Sequence, residues 1–194
     1  MAGGPVFSFR YTETAELMRA AGAEVVSFDP VVDESLPEAT AALYLGGGFP
    51  ELHADALSDN KTLRTEVAAA VSQGMPVIAE CAGLLYLCRE LDGHPMAGVI
   101  AATGRMTERL TLGYRTAVAA TGGFLYDEGS RVRGHEFHRT VVEYDAGHEA
   151  HAWHSDHGAE GVAARRLHAS YLHLHWTATP DVAARLVRAA GHRT

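Results

Sequence analysis

Three groups of residues in the chain have types and spacings that could do chemistry. The first centres on Cys81, which follows the apolar run Pro76-Val77-Ile78-Ala79 and Glu80 and precedes Ala82-Gly83. The run is short and continuous, as in a strand covered on both faces. From Ala82 to Arg89 the apolar Leu84, Leu85, Leu87 and Cys88 predict a helix with a buried inner face. A strand turning sharply into a helix, with small residues after a nucleophilic side chain, is a nucleophile elbow. A thiol at a helix N-terminus is expected to lean toward thiolate. The same pattern also suits an inert cysteine buried at a strand end.

The second group is Gly46-Gly47-Gly48, directly after the apolar run Ala41–Leu45. Parallel sheets place their ligands beyond the carboxyl ends of the strands, so this loop and Cys81 are expected to be neighbours. Glycines there let backbone N–H groups turn toward a developing negative charge. A plain tight turn is the alternative. A phosphate loop is disfavoured, since no Gly-Lys-Ser/Thr follows.

The third group is histidine-rich. On a strand over Ser170–Trp176, His173 and His175 would share one face, one as base for the cysteine and the other as its orienting partner. Core residues or metal ligands are the other readings. Arg133-Gly134-His135-Glu136-Phe137-His138 has the spacing H-E-x-H, not the H-E-x-x-H that places two zinc ligands one helical turn apart. A zinc site from His135, His138, His173 and His175 is a further alternative. His148, His151, His154 and His157 recur at every third residue of a polar stretch, Asp145–Glu160, read as an exposed loop.

These residues must be positioned by alternating strands and helices. Strands are predicted over Pro5–Phe9, Glu24–Phe28, Ala41–Leu45 and Pro76–Ala79. Helices are predicted over Tyr11–Ala21, capped by Thr12 or Thr14, and over Asn60–Gln73. That alternation predicts a mostly parallel sheet with right-handed crossovers. From Met96 to Tyr144 the composition shifts to Thr, Val, Gly and Tyr, and runs such as Thr116–Ala119 and Thr140–Tyr144 predict antiparallel hairpins added at one side of the sheet. Gly161–Ala164 and Ser170–Trp176 read as two further strands, and Thr179-Pro180 opens a last helix through Arg188. The whole, residues 1–194, reads as one α/β domain.

Bulk properties exclude some classes. The 194 residues carry a formal net charge of −8 and no basic stripe, which argues against nucleic acid. No apolar run is long enough for a membrane span, and the N-terminus lacks the form of a secretory signal. Cys81 and Cys88 would lie about 10 Å apart on one helix, too far for a disulfide, and a reducing cytoplasm fits best.

Taken together, Tyr44–Glu51, Ala79–Leu84, Arg133–His138 and Ala169–His175 resemble the glutaminase domain of the cobyrinic or hydrogenobyrinic acid a,c-diamide synthases. Those domains are triad-type class I glutamine amidotransferases of flavodoxin-like α/β architecture. The likeness covers nearly the whole chain. It implies Cys81 as nucleophile, His173 as base, and an oxyanion hole from Gly47 or Gly48 with Ala82. Where relatives carry an orienting glutamate this chain has His175. Glu80, His135, Glu136 and His138 become candidates for substrate contact. The implied substrate is glutamine. No cofactor or metal is implied here; ATP and Mg2+ belong to an N-terminal synthetase domain that the chain lacks, and through which a corrinoid would be amidated. The alternatives are a Cys-dependent amide or peptide hydrolase of related fold and a non-catalytic His-rich metal-binding module.

Overall fold

A computed structural model describes residues 1–148 and 150–191. Its first half holds α1 (Thr12–Ala20), β1 (Leu43–Leu45), a 3-10 turn (Pro50–His53), α2 (Ala54–Asp59), α3 (Lys61–Ser72), β2 (Val77–Glu80) and α4 (Ala82–Leu87). The second half holds β3 (Cys88–Leu91), β4 (His94–Pro95), β5 (Ile100–Ala119), β6 (Arg131–Tyr144), β7 (Trp153–Ser155) and β8 (Gly158–Glu160). It ends with β9 (Val162–Ala164), β10 (Leu167–Ser170), a second 3-10 turn (Trp176–Ala178) and α5 (Asp181–Gly191).

The central sheet runs β1-β2-β10-β9, with β1, β2 and β10 parallel and β9 antiparallel. Both faces are covered. Leu43, Leu45, Val77, Ala79, Leu167 and Ala169 face one apolar cluster, while Tyr44 and Ile78 face the other. The strand period of two, applied to continuous apolar runs, requires this two-sided burial. The parallel registers Leu45↔Ala79 and Ser170↔Glu80 bring the three strands to a common carboxyl edge.

Several predicted elements differ. The strands expected at Pro5–Phe9 and Glu24–Phe28 are not ladder strands: extended pairing beyond β1 shrinks to the bridge Ala2↔Phe28, and Phe9 makes a lone bridge to Gly47. Thr12 and Thr14 lie inside α1, whose N-cap is Tyr11 without a side-chain cap bond. Helix α4 stops at Leu87, because Cys88 is extended and opens β3. The antiparallel hairpin is real but far longer than the runs that announced it, and β5 and β6 belong to a separate six-stranded sheet. The stretch read as an exposed loop, Asp145–Glu160, contains the hairpin β7–β8 and the buried Trp153; its Glu149 lies outside the described residues. Strand β10 ends at Ser170, so Ser170–Trp176 is not one strand.

Gly83 sets how closely α4 approaches β1. A Cβ there would lie 2.7 Å from the Leu45 Cβ and nearer still to the Leu45 carbonyl oxygen. Gly83→Ala is therefore expected to cost about 1–3 kcal/mol by overpacking, a fall in Tm of about 2–4 °C per kcal/mol for a chain of this size. Gly123→Ala, where a Cβ meets nothing within 4 Å, serves as control. Equal melting temperatures for both variants would show that the close approach is dispensable.

Candidate active site

Cys81 follows the last residue of β2 and stands as N-cap of α4, with φ 49° and ψ −94°. A non-glycine residue adopts that backbone only where its surroundings impose it, at about 1–3 kcal/mol. Its N–H donates to the Ser170 carbonyl at 2.8 Å, and the Gly83 N–H donates to the Gly46 carbonyl at 3.1 Å. The neighbouring parallel strands thus hold the turn on both sides. The elbow predicted from sequence is present, and the Gly46–Gly48 loop lies next to it, as expected.

The backbone N–H groups of Ala82 and Gly48 lie near the Cys81 sulfur and favour its charged form. The backbone of Gly47 is engaged elsewhere. Its N–H donates to the Phe9 carbonyl at 3.0 Å, and its carbonyl accepts from the Phe9 N–H at 3.1 Å. Of the two glycines, Gly48 is the one whose N–H lies near the sulfur. Gly47 is needed for space, since a Cβ there would collide with the ring of His173.

Two clefts meet at Cys81 and share Gly48, Phe49 and Phe137. One, of about 220 Å³, adds Phe9, Leu112, His135 and His173. The other, of about 100 Å³, adds Glu51, Leu85, Leu110, His138, Arg139 and Thr140. The thiol donates weakly to the Phe137 carbonyl at 4.0 Å. A larger cavity, about 410 Å³, lies between α1, α5 and residues 37–44, away from Cys81.

His173 is 3% exposed, stacked on His135 at 4.8 Å and edge-on to Phe9 at 4.9 Å. His135 reaches the Tyr11 hydroxyl at 3.4 Å. His175 lies beyond the end of β10 and packs on Tyr11 at 4.3 Å, the ring whose hydroxyl also reaches His135. Its imidazole is 41% exposed, bonded to Thr177 Oγ1 at 2.6 Å and 3.9 Å from the Glu13 carboxylate. It lines neither cleft. Among the described residues no three His, Cys, Asp or Glu side chains are placed to hold a metal ion.

The four candidates for substrate contact divide. His135 and His138 line the clefts. His138 stacks on Tyr171 at 3.8 Å, and its Nδ1 lies 2.8 Å from the Thr140 carbonyl. A carbonyl only accepts, so Nδ1 carries the proton and the neutral ring leaves Nε2, buried and unpartnered, as an acceptor. Glu136 is turned to Arg115 on β5 in a partly buried ion pair at 2.8 Å. Glu80 is buried under Tyr44, whose hydroxyl donates to it at 2.9 Å, and lines neither cleft. Neither carboxylate is available to a substrate in this arrangement. Glu51 and Phe9 were not singled out from sequence; Glu51 stood within Gly46–Glu51 as the acid nearest the glycines.

Burial dominates the electrostatics. It pushes the Cys81 thiol up to about 12, with the Glu51 charge adding to it and the Ala82 and Gly48 N–H groups opposing. Burial pulls His173 down to about 3, with His135 and His138 reinforcing the shift. The free site therefore holds a neutral thiol beside neutral imidazoles, which corrects the thiolate expectation. Helix α4 has only six residues, and its end cannot outweigh desolvation of this size.

Residues 2–181 match the CobB/CobQ-like glutamine amidotransferase domain. The hydrogenobyrinate a,c-diamide synthase of Streptomyces coelicolor is 58% identical over 190 residues, covering 96% of this chain and 39% of that protein. The cobyrinate a,c-diamide synthase of Synechococcus is 45% identical over 183 residues, covering 90% of this chain and 40% of that protein. The chain thus spans about two fifths of the length of these relatives. A solved glutamine amidotransferase superposes with a TM-score of 0.70 at 19% identity over 98% of both chains, and PurLQS from Thermotoga maritima with 0.69 at 11% over 97% and 94%. At those identities the likeness speaks for the fold, which agrees with the α/β, flavodoxin-like expectation. By its elbow, its glycine loop and this match over nearly its whole length, the chain belongs to the CobB/CobQ-like glutamine amidotransferase family.

Proposed function

We propose that this chain hydrolyses glutamine at Cys81 and supplies the ammonia for ATP-dependent amidation of the a and c carboxylates of cobyrinic or hydrogenobyrinic acid in cobalamin biosynthesis. The amidation itself, with its ATP, Mg2+ and corrinoid, is assigned to the part of the relatives' length that this chain does not span. The observation that carries the glutaminase reading is the convergence at Cys81: a strained elbow, two N–H groups near the sulfur, and His173 in the same cleft.

In this reading the thiol proton passes to His173 as sulfur attacks the amide carbon, and the oxyanion forms against the Gly48 and Ala82 N–H groups. Loss of one such donor typically costs about 100- to 1000-fold in rate. Because His173 holds a proton poorly, the proton moves on to the leaving nitrogen as the C–N bond breaks, releasing ammonia and leaving a thioester. Water, deprotonated by His173, then hydrolyses the thioester to glutamate and restores the thiol. The smaller cleft suits the amino-acid end of glutamine. Glu51 and the His138 Nε2 acceptor face an ammonium there, and Arg139 faces a carboxylate. An ammonium beside Glu51 would cancel the charge that raises the thiol, so substrate arrival itself would activate the nucleophile.

Cys81→Ser and His173→Ala are expected to lower glutamine hydrolysis, read as ammonia release, by at least about 10²–10⁴-fold. His175→Ala should stay within about threefold of the parent. Turnover of asparagine or peptide amides in preference to glutamine would instead favour a general Cys-dependent amide hydrolase.

Alkylation by iodoacetamide, followed by peptide mapping, should label Cys81 and spare Cys88 in the folded protein. Cys88 sits at 0% exposure in the core with its thiol on the Leu84 carbonyl. Since only thiolate reacts and Cys81 titrates near 12, its labelling rate should rise about tenfold per pH unit from pH 8 to 10. A rate already flat above pH 8 would mean that a thiolate pre-exists.

Glu51→Gln should act with opposite signs on two measurements. Removing the charge should speed alkylation of the free enzyme several-fold, while loss of the ammonium partner should raise KM for glutamine about tenfold or more. Unchanged KM would remove Glu51 from the substrate site.

A further inference from the structure

His173 is carried by a segment outside regular structure, yet its backbone donors are held one after another. The Tyr171 N–H donates to Glu160 Oε2 at 3.1 Å, and the Leu172 N–H to Ser170 Oγ at 2.8 Å. The His173 N–H donates to the His135 carbonyl at 2.9 Å, and the Leu174 backbone lies near the Glu80 carboxyl and favours its charge. At either end a carboxyl takes further donors. Ser170 Oγ donates to Glu160 Oε1 at 2.5 Å. The Tyr44 hydroxyl donates to Glu80 at 2.9 Å, and the Trp176 indole lies near enough to favour the same carboxyl's charge. Glu80 immediately precedes Cys81, and the Ser170 carbonyl accepts the Cys81 N–H. The two carboxyls therefore tie the histidine segment to the same frame that holds the nucleophile.

We propose that Glu80 and Glu160 are positioning residues for His173, acting through the backbone of Ser170–Trp176 instead of through its ring. Neither carboxyl lines a cleft at Cys81, so neither touches substrate. The ring itself meets Gly47, Phe9 and His135, none of them an acid. Orientation must then come from where the backbone places the side chain. In its ionised form a carboxyl offers acceptors only, with two oxygens and about four lone-pair directions, which suits converging N–H and O–H donors. An amide in its place keeps one acceptor oxygen and must donate its N–H₂ to the Ser170 or Tyr44 hydroxyl, so that hydroxyl has to turn from donor to acceptor. Desolvation is a sizeable cost at both positions, holding each carboxyl up at about 7 against the pull of its hydrogen bonds. Retaining an acid under that cost calls for a function, and the converging donors define it.

The role rests on the glutaminase reading, and the two fail in different ways. The experiment is a pair of double-mutant cycles on the native full-length protein: Glu80→Gln and Glu160→Gln, each with and without His173→Ala. Glutamine kcat and KM are read, together with the rate of Cys81 alkylation, which stays measurable where turnover vanishes. Each single Gln variant is expected to lower kcat about 10- to 100-fold, the scale of a roughly 1 Å misplacement, with KM within about threefold. In the His173→Ala background the same substitutions should cost less than about twofold, since residues that act as a unit are not additive. Ser170→Ala, which removes the hydroxyl joining Glu160 to Leu172, should repeat the pattern if Glu160→Gln does not fold. Equal losses in both backgrounds, or a raised KM with kcat kept, would overturn the positioning role while leaving the glutaminase intact. Absence of glutamine hydrolysis in the parent protein would remove the function and this role with it.

Discussion

The backbone of Cys81, at φ 49° and ψ −94°, is the constraint on which the rest of the site depends. An isolated strand–helix turn would relax away from it. Here β2 is flanked by β1 and β10, and each side takes one bond from the turn: Ser170 from the Cys81 N–H, Gly46 from the Gly83 N–H. Both faces of the three strands are packed, so the turn cannot move without disturbing two apolar clusters. The strain of about 1–3 kcal/mol is small against that packing. In return the sulfur stands clear of its own strand, at the junction of two clefts and near the N–H groups of Gly48 and Ala82.

That placement sets a tension between burial and activation. A thiol near 12 and an imidazole near 3 both refuse charge, so the pair is inert until something compensates for the lost water. Fixed backbone N–H groups supply part of that compensation and need no reorganisation when charge develops. A resting site of this kind would be protected from adventitious thiol chemistry, which runs through thiolate.

The hairpin β5–β6 supplies the outer wall. Its irregularity between Met106 and Thr111 and its register Leu112↔Phe137 and Tyr114↔His135 bring Phe137, His138 and His135 over Cys81. Leu112, Tyr114 and Phe137 remain exposed at 61%, 73% and 46%. The clefts therefore lie between a parallel sheet, which carries Cys81, and a long antiparallel arm, which carries the residues that frame it.

Local patterns in the chain were enough for the elements that make the nucleophile. A continuous apolar run, a cysteine and two small residues specify a buried strand, a sharp turn and a helix, because these depend on neighbours in sequence. The glycine loop and its nearness to Cys81 followed as well, since parallel sheets gather their ligand loops at one edge. The histidine segment was misread for the same local reason. Its alternation predicts a strand that would set His173 and His175 on one face, but pairing in the sheet stops at Ser170. Beyond that point the donors are claimed by Glu160, Ser170 and His135, partners that no periodicity announces. Gly47 and Gly48 were equivalent in sequence until Phe9 took the Gly47 N–H. The thiolate was expected from a helix end, whereas the charge state is set by desolvation, a property of everything packed around a group. Residue types and short-range order thus determined which chemistry was possible. Tertiary packing decided which donor, which histidine and which protonation state would serve it, because hydrogen-bond ownership and burial exist only once distant segments meet.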